Sequence, residues 1–479
     1  MDRPSRATPH LDGSTTIPVP PSVLYLLATL WAAGHDAFVV GGSVRDALLG
    51  RPAADWDLAT SARPEQIVEA FPGAVYENRF GTVAVRRDDD VFEITTFRSD
   101  HDYADFRRPH RVEFGDDIEP DLARRDFTVN AIAWGRPGDR DASRTDTAVG
   151  EPAIGEPAVG EPAIVDPFDG RADLATRTLR AVGDPIRRFD EDALRMLRAV
   201  RLATVLDFTI EPVTLEAIAA RAELARHLSG ERVAAEMARL LAAPVPSTGL
   251  RLLDTSGLLR ELFPELAAER GVAQNKVPGD DLWDHTLRAV DAADPDRPVV
   301  RWAALLHDIG KPATAADGHF YGHDTVGAEM AESVLGRLRL PRAVIDRVVQ
   351  LIRQHMFMYD SGWSDAAVRR FIGKVGLAAL DELLDLRAAD NVGSGRPVDA
   401  GGLGELRRRI DEQLAAEVAL DRADLEVDGG DLIAELGLSP GPLIGRLLDD
   451  LLERVIADPA LNDRPTLLLL AQGALEEER

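Results

Sequence analysis

The sequence predicts an α+β protein in which a small domain with a mixed sheet precedes a long, all-helical remainder. A length of 479 residues favours several domains. The short apolar or alternating segments that are typical of strands lie before residue 98. Leucine-rich segments with helical periodicity dominate after residue 176.

A glycine turn lies near the start of the stretch 38–60. Three apolar residues predict a buried strand, and Gly41 and Gly42 follow, where a side chain would block the approach of a ligand to the backbone. We expect Ser43 to cap a helix that runs to Leu48. Free amide groups at such a helix start suit phosphate.

A carboxylate pair, Asp55 and Asp57, follows this turn and flanks Trp56. On a strand, residues two apart point to the same side, so the two carboxylates would lie close together. Paired oxygen ligands of this kind hold Mg²⁺, usually together with substrate phosphates. Alone, the glycines would be a simple turn and the aspartates a solvated loop; together they indicate phosphoryl or nucleotidyl transfer.

The other elements of the first domain follow from periodicity and turn residues. On the strand near its end, Glu93 is a candidate third carboxylate, or else a buried or cross-strand-paired residue. Residues 98–120 are charged and irregular, which predicts a surface loop. Helices are expected at Val23–Ala33 and Pro64–Ala70, and strands at Ala74–Tyr76, Thr82–Arg86 and Val91–Phe97.

Four motifs together resemble the class II tRNA CCA-adding nucleotidyltransferase and bacterial poly(A) polymerase family of the polymerase β superfamily. They are GGSVRD at 41–46, DWD at 55–57, RRDFTVNA at 124–131 and EDALR at 191–195. The resemblance implies a polymerase β-like nucleotidyltransferase head, then a helical neck, body and tail. It also implies that residues 98–120 form a flexible loop that helps to switch the site towards ATP.

The resemblance assigns roles to individual residues. Asp55, Asp57 and Glu93 are the expected catalytic residues, with Mg²⁺ on the two aspartates. Arg124 and Arg125 could meet triphosphate oxygens and Asp126 a ribose hydroxyl; an ordinary surface ion pair is the alternative. The expected nucleotide-binding residues are Gly41, Gly42, Ser43, Arg45, Arg124, Arg125, Asp126, Asp192, Arg195, Arg198 and Arg201.

Asp192 and Arg195 are a candidate base selector. Three residues apart, they would share one helix face, where the alternative is a weak ion pair. Cytosine and adenine both present an amino donor beside a ring-nitrogen acceptor, which a carboxylate beside a guanidinium matches. Guanine and uracil would leave polar groups unmatched, at about 1–3 kcal/mol each.

A second candidate site lies in the helical part, where five of the ten histidines fall between residues 285 and 355. His285, the pair His307-Asp308 and Asp390 resemble the ligands of an HD phosphohydrolase domain. Without cysteine, such a site would use nitrogen and oxygen ligands and would suit Mn²⁺, Ni²⁺, Mg²⁺ or Zn²⁺. The alternative is a helical domain that only supports RNA.

Composition restricts the setting and the partners. The net charge of −27 counts against RNA binding, but residues 177–201 hold seven arginines and four acidic residues. The absence of cysteine suits a reducing cytoplasm. The polar N-terminus is not a signal peptide, and the apolar run 23–33 is too short to span a bilayer. We therefore expect no membrane partner.

These inferences predict five regions and one main activity. The regions are a disordered segment (1–20), a head (21–175) with a GEPA repeat insertion (150–163), a helical RNA-binding neck (176–281), an HD domain (282–395) and a helical tail (396–479). The expected activity is addition of CCA to tRNA from CTP and ATP, with no DNA partner. Poly(A) polymerase and CC-only or A-only enzymes share the motifs, although the long 98–120 loop disfavours a CC-only enzyme. An HD phosphohydrolase with a vestigial head is the rival from another class.

Overall fold

The computed structural model describes residues 17–53, 55–76, 81–103, 109–138, 161–274, 276–416 and 418–477. Most of the predicted disordered segment and almost all of the GEPA repeat lie outside these ranges. The chain forms two compact units. The head unit comprises Met1–Glu236 and Arg251–Leu262, and the helical unit comprises Met237–Leu250 and Phe263–Arg479.

A seven-stranded mixed sheet organises the head unit, as the predicted fold class requires. Its order is β3-β4-β5-β2-β1-β8-β9, in which β2 and β5 are the parallel neighbours. Two further two-stranded sheets pair β6 with β7 and β10 with β11. The described strands are β1 Ala37–Val40, β2 Asp57–Thr60, β3 Val75–Tyr76, β4 Thr82–Arg87, β5 Asp90–Thr96, β6 Arg98–Tyr103, β7 Pro109–Phe114, β8 Ala133–Arg136, β9 Ala163–Val165, β10 Thr178–Leu179 and β11 Thr209–Ile210.

The central strand β1 is buried along its whole length because its four residues are apolar or small. The first helix packs on it, and Trp31 Nε1 donates to the Ala37 carbonyl at 3.0 Å. The helices that begin in the head unit are α1 Pro21–Ala32, α2 Gly42–Leu48, α3 Pro64–Ala70, α4 Ile118–Ala123, α5 Gly170–Thr176, α6 Pro185–Glu191, α7 Leu194–Leu206, α8 Pro212–Arg221, α9 Gly230–Leu241 and α11 Leu258–Leu262.

The prediction of an irregular loop over residues 98–120 was wrong. Strands β6 and β7 pair antiparallel in this region, and α4 begins at Ile118. Charged residues interrupt the alternation on both strands, so neither strand has the continuous apolar face that sequence patterns detect.

The helical unit contains no strand among its described residues. Helix α13 packs against α14 and α19, and α16 packs against α17. The helices are α10 Ser247–Thr255 (which begins here), α12 Pro264–Ala267, α13 Leu282–Ala292, α14 Pro298–Leu306, α15 Lys311–Thr314, α16 His323–Arg337, α17 Arg342–Gln354, α18 Asp365–Val375, α19 Leu377–Gly393, α20 Leu403–Ala415, α21 Gly429–Leu436, α22 Pro442–Ala457 and α23 Arg464–Glu477.

The end of this unit has its own core, in which Leu432, Leu447, Leu451 and Leu467 are buried together. Across both units, the described helices include none with the length and apolarity needed to cross a membrane.

Candidate active site and candidate metal centre

The glycine turn between β1 and α2 in the head unit leaves little space for side chains. Gly41 has φ +79°, a backbone conformation that residues with a side chain rarely adopt, and a Cβ there would also displace Arg125 Nη1, which lies 2.7 Å away. Ser43 does not cap α2 as predicted: it is buried inside the helix, and its hydroxyl donates to the Val40 carbonyl at 3.4 Å. Glycine occupies the cap position because the backbone there needs a positive φ.

The carboxylate pair lies beside this turn. Asp57 begins β2 opposite Val40, whereas Asp55 lies in the segment before the strand. The prediction that both aspartates share a strand face was therefore wrong, because the strand begins two residues later. Both nevertheless line one cavity of about 300 Å³, which we call the carboxylate pocket.

The charges of this pocket fit a divalent cation. Partial burial raises the pKa of Asp57, Arg125 lowers it and the negative charge of Asp55 raises it again, with a net increase. Two mutually repelling carboxylates are an oxygen-only donor set of the kind that suits Mg²⁺. The other residues that line the pocket are Gly41, Gly42, Ser43, Arg45, Asp46, Arg125, Asp126, Asn130, Arg198, Arg201 and Leu202.

Glu93 lies on β5, the strand parallel to β2. Leu58 pairs with Ile94, so Glu93 and Asp57 each lie one residue before that pair. The Glu93 side chain is exposed and does not line the carboxylate pocket. Its role as a third catalytic carboxylate stays a prediction.

Buried carboxylates hold the arginines of the RRD motif. Asp121 accepts from Arg124 at 2.7 Å and from Arg125 at 3.4 Å. Burial alone would raise the pKa of Asp121, but Arg124 and Arg125 lower it by more. The two arginines thus form ion pairs, but with the buried Asp121 rather than with Asp126 at the surface. Both also line a second cavity of about 320 Å³.

Both carboxylate oxygens of Asp126 accept hydrogen bonds from protein groups. One oxygen accepts from Arg198 Nε and Nη2 at 2.9 and 2.7 Å, and the other accepts from Asn130 and the Phe127 amide, both at 2.9 Å. Burial raises the pKa of Asp126, but Arg198 and the hydrogen bond from Asn130 bring it down to about 2. Its contact with a ribose hydroxyl stays a prediction.

Asp192 and Arg195 do not share a helix, contrary to the prediction. Helix α6 ends at Glu191, Asp192 is extended, and α7 begins at Leu194, whose amide donates to Asp192 at 3.0 Å. Aspartate favours such breaks because its side chain satisfies a free backbone amide.

Each member of this pair has its own partner. Arg232 contacts Asp192 at 2.7 Å, and Glu191 contacts Arg195 at 2.7 Å. All the residues of this second cavity, the arginine pocket, belong to the head unit: Arg124, Arg125, Asp126, Asp192, Leu194, Arg195, Arg198 and Arg232.

Arg232 is a functional candidate that sequence reasoning missed, since it lies on α9, forty residues from Asp192. Arg45 donates to Asn130 at 2.6 Å and pairs with its neighbour Asp46. Arg201 pairs with the buried Glu236 at 2.5 Å. The arginines are thus anchored by acidic or amide groups beneath them.

The helical unit brings the four predicted HD residues together. His285 Nε2 lies 3.0 Å from His307 Nε2, 3.1 Å from Asp308 Oδ2 and 3.4 Å from Asp390 Oδ1. Three of them, His285, His307 and Asp390, offer ligand atoms within 4.8 Å of one another. They fit a metal because buried imidazoles and carboxylates converge on one point.

Two more histidines, His323 and His355, lie on the other side of Asp308. Their Nε2 atoms are 3.4 and 3.7 Å from Asp308 Oδ1. The sequence shows them only as members of a cluster of histidines, and the exposed His319, which belongs to the same cluster, stacks on Tyr321 instead. We call the following six residues the histidine cluster: His285, His307, Asp308, His323, His355 and Asp390.

Charge in the histidine cluster is balanced by its neighbours. Burial raises the pKa of Asp308, but His307 and Lys311 lower it well below its ordinary value. Burial raises the pKa of Asp390, and His307 and Lys276 bring it to about 2. Both carboxylates are therefore ionised at neutral pH and available to cations.

Comparisons with known families match three parts of the chain. The family model of the "Poly A polymerase head domain" matches residues 37–180, that of the "Probable RNA and SrmB-binding site of polymerase A" matches 207–270, and that of the "HD domain" matches 255–394.

Similar proteins cover almost the whole chain. A CCA-adding enzyme of Geobacillus stearothermophilus is 32% identical over 442 residues, which cover 92% of this chain and 94% of that protein. A CCA-adding enzyme of Levilactobacillus brevis is 33% identical over 444 residues, covering 92% and 95%.

A solved structure of the Bacillus stearothermophilus CCA-adding enzyme in complex with CTP superposes with a TM-score of 0.69. It is 30% identical and covers 96% of this chain and 99% of that one. A Thermotoga maritima CCA-adding enzyme complexed with tRNA has a TM-score of 0.57 at 20% identity, covering 95% and 96%, and shares the fold.

Proposed function

Because the chain belongs to the CCA-adding enzyme family, we propose that it adds CCA to the 3′ end of tRNA from CTP and ATP. The supporting observation is the pair of pockets in the head unit. The carboxylate pocket and the arginine pocket share Arg125, Asp126 and Arg198. A reacting triphosphate and the base that it carries can therefore occupy adjoining spaces.

In the proposed reaction, the terminal 3′ hydroxyl attacks the α-phosphorus of the nucleotide in line, and pyrophosphate leaves. Asp55 and Asp57 would hold Mg²⁺, which when bound lowers the pKa of the hydroxyl and offsets developing charge. Arg45, Arg124 and Arg125 bind and orient the triphosphate. Because carboxylates and amides already fix these arginines, the cations are positioned before the nucleotide arrives.

Base selection rests on Asp192 and Arg195. Arg232 holds the first and Glu191 holds the second, so neither depends on the other for its position. The Asp192 carboxylate and the Arg195 guanidinium can therefore each direct their remaining hydrogen-bonding atoms at the same base edge. This supports selection of cytosine and adenine over guanine and uracil without a template.

The test uses tRNA that lacks its CCA end, incubated with CTP and ATP, after which the 3′ ends are sequenced. Ends of CCA support the proposal, long A tails indicate a poly(A) polymerase, and ends of CC or a single A indicate a partial enzyme. A matched reaction with tRNA that already ends in CCA should show no extension.

A second function, metal-dependent phosphoester hydrolysis, is favoured by the cleft above the histidine cluster. This cavity of about 530 Å³ brings four cationic side chains beside the ligands: Lys276, Lys311, Arg387 and Arg396. Cations beside a metal site suit a phosphate substrate. Imidazole ligands favour Ni²⁺ or Zn²⁺ over Mg²⁺, and the carboxylates of the cluster also suit Mn²⁺.

The proposed substrate class is an RNA end with a 2′,3′-cyclic phosphate. Water would break the P–O bond to the 3′ oxygen of the ring, giving a 2′-phosphomonoester and the free 3′ hydroxyl that the head reaction needs. Repair of damaged ends would supply the head with usable RNA. The absence of cysteine supports the cytoplasm as the place of both reactions.

The test of hydrolysis compares wild type with the double variant His307→Ala, Asp308→Ala on RNA with a cyclic phosphate end, with and without added Mn²⁺ or Ni²⁺. We expect the variant to lose hydrolysis and to retain CCA addition, since the head pockets do not include these residues. A wild-type protein without metal-dependent hydrolysis would contradict this function.

A further inference from the structure

A smaller cavity of about 220 Å³ opens beside the cleft above the histidine cluster, and we call it the aromatic pocket. Its walls share Arg387, Asn391 and Arg396 with the cleft, so the two spaces adjoin within the helical unit. Pockets that enclose a whole small molecule commonly measure about 300–1,000 Å³. The aromatic pocket is therefore sized for one part of a ligand whose other part lies in the cleft.

One segment, 356–359 between α17 and α18, runs along both spaces. Met356 lines the cleft, whereas Phe357, Met358 and Tyr359 line the aromatic pocket. Met358 is 80% exposed, and its flexible thioether can adapt to a ligand that covers it. Two half-buried rings beside an exposed methionine form an apolar surface that suits a flat, aromatic group.

Neighbouring groups fix the two rings of the aromatic pocket. Arg387 lies over the Phe357 ring, 5.2 Å from its centroid, and donates to the Phe357 carbonyl at 2.8 Å. The Tyr359 ring lies against the backbone of Gly402, where a Cβ would be only 3.0 Å from two ring carbons. Arg409 donates to the Tyr359 hydroxyl at 3.4 Å. Rings that are already held in place lose little freedom when a ligand binds.

The charges around the aromatic pocket favour a ligand that carries a phosphate. The described residues that line it include two arginines and no carboxylate, in a chain of net charge −27. Arg387 is held by the carbonyls of His355 and Phe357 and by Asp390. The exposed guanidinium of Arg396 lines both spaces and forms no hydrogen bond or ion pair with the described residues. A cation in this position can contact a phosphate without first leaving another partner.

We propose that the aromatic pocket binds the base of the terminal RNA nucleotide whose phosphate lies in the cleft. Bases stack on aromatic rings through their planar faces, so the pocket would accept all four bases. Arg396, between the two spaces, would contact the phosphate of the same nucleotide. This deepens the hydrolysis proposed above and rests on it for the nature of the substrate, although binding of the base can be measured separately.

The first test locates the base in the native protein. A short RNA that ends in a 4-thiouridine 2′,3′-cyclic phosphate is irradiated with the full-length chain, and the crosslinked tryptic peptides are identified by mass spectrometry. We expect a crosslink in the peptide 354–369, which contains the segment 356–359. Crosslinks confined to the head unit, or to the segment around Tyr321 at the rim of the cleft, would overturn the proposal.

The second test measures hydrolysis of two RNA ends with added Mn²⁺ or Ni²⁺, one with its terminal base and one whose last ribose carries a cyclic phosphate but no base. Tyr359→Ala should raise KM for the end with a base about tenfold and leave kcat nearly unchanged, because stacking contributes binding away from the reacting bond. It should not change KM for the end without a base. Arg396→Ala should raise KM for both ends, since each carries the phosphate.

Two matched variants separate base binding from structural damage. Tyr359→Phe keeps the ring and should retain the wild-type KM. Leu377→Ala changes an exposed apolar residue at the start of α19 that lines neither space, and it should behave as wild type. An equal rise in KM for both ends in Tyr359→Ala would overturn the proposal. Circular dichroism and thermal melting check that the variants fold.

The two tests also separate this proposal from the hydrolysis on which it rests. A crosslink in the peptide 354–369 without any hydrolysis would contradict only the proposed activity. Hydrolysis with the same KM for ends with and without a base would contradict only the aromatic pocket. The crosslink is measured on native protein, so it decides the matter even if Tyr359→Ala does not fold.

Discussion

The two candidate sites use ionised groups in opposite ways. In the head unit, Asp55 and Asp57 lie on the exposed wall of a pocket, and the cations around them are already paired with acidic or amide groups. In the helical unit, imidazoles and carboxylates are buried and converge on shared points. The carboxylates of the first site are exposed, whereas the ligand groups of the second are already assembled in the interior of the protein.

The head unit collects cationic side chains in its pockets although the chain has a net charge of −27. Buried carboxylates such as Asp121, Asp126 and Glu236 lie beneath the arginines and fix their positions. The arginines line the two pockets, so a phosphate that binds there would meet an ordered cationic surface. Local arrangement, rather than total charge, decides binding here.

Asp57→Ala should produce the largest effect, because a pocket that depends on exposed carboxylates loses its metal outright. Loss of several kcal/mol of transition-state stabilisation corresponds to a fall in turnover of about three orders of magnitude or more. Single-turnover addition of CMP to tRNA measures this, and tRNA affinity should stay within a few-fold of wild type.

The matched control for that experiment is Asp90→Ala, an exposed aspartate at the start of β5 and outside both pockets. It should leave turnover unchanged. Near-normal turnover in Asp57→Ala would show that the carboxylate pair is not the catalytic site.

Asp192→Ala should have the next largest effect, on selectivity more than on rate. An unmatched polar group costs about 1–3 kcal/mol, so discrimination against GTP and UTP should fall by about one to two orders of magnitude. Incorporation of each of the four nucleotides, tested alone, measures the change. Asp190→Ala is the control, since Asp190 pairs with Arg221 away from the arginine pocket. Unchanged selectivity in Asp192→Ala would exclude base selection by Asp192.

Arg232→Gln should have a smaller effect on the same property. Arg232 positions Asp192 and lies at the edge of the arginine pocket, so its loss lets the carboxylate move without removing it. We expect only a several-fold loss of discrimination, because water replaces most of a charge-assisted hydrogen bond that is worth about 1.5–3 kcal/mol. An effect equal to that of Asp192→Ala would show instead that Arg232 contacts the nucleotide itself.

The sequence predicted the elements whose pattern is local. The apolar run of β1, the helices α1 and α3 and the strands β4 and β5 follow from periodicity and turn residues, and the predicted family and fold class were confirmed. The helix break at Asp192 was missed because the helical pattern continues on both sides of it, and an aspartate on a helix surface is common. The break depends on the hydrogen bond that the Asp192 side chain accepts from the Leu194 amide, which the sequence does not show.

Long-range partners could not be predicted in the same way. Arg232 reaches Asp192 from α9, and the two oxygens of Asp308 face histidines from four different helices or their ends. Spacing along the chain contains no information on which histidines converge. Residue type indicated the chemistry of the second site, and only the packing of α13, α16, α17 and α19 distinguishes its ligands from His319.

Asp126 in the head unit and Glu269 in the helical unit are buried acids whose pKa values are shifted in opposite directions. In the head unit, the guanidinium of Arg198 outweighs burial and holds the pKa of Asp126 at about 2. In the helical unit, Glu269 is completely buried and accepts one hydrogen bond, from Thr286 at 2.7 Å. Burial outweighs that hydrogen bond and raises the pKa of Glu269 well above its ordinary value.

The two shifts have opposite consequences for stability. Asp126 stabilises the folded chain above the ordinary aspartate pKa, and this contribution is lost as the pH falls towards 2. Glu269 keeps its proton in the folded state after the unfolded state has released it. Stability should therefore decrease as the pH rises from about 4.5 towards the raised pKa, with a slope of up to about 1.4 kcal/mol per pH unit for one proton.

Glu269→Gln should remove the dependence of stability on pH that Glu269 causes. The difference in stability between variant and wild type should be the smallest of the predicted effects near pH 4.5, because few unfolded molecules have lost the proton there. The amide keeps an acceptor for Thr286 and cannot ionise, so its free energy of unfolding should no longer fall over the same pH range. Denaturant titrations of wild type and variant at several pH values measure the difference. The control is Glu329→Gln on the exposed face of α16, which should retain the wild-type slope. Parallel curves for wild type and Glu269→Gln would mean that Glu269 is ionised in the folded chain, and the contrast with Asp126 would fail.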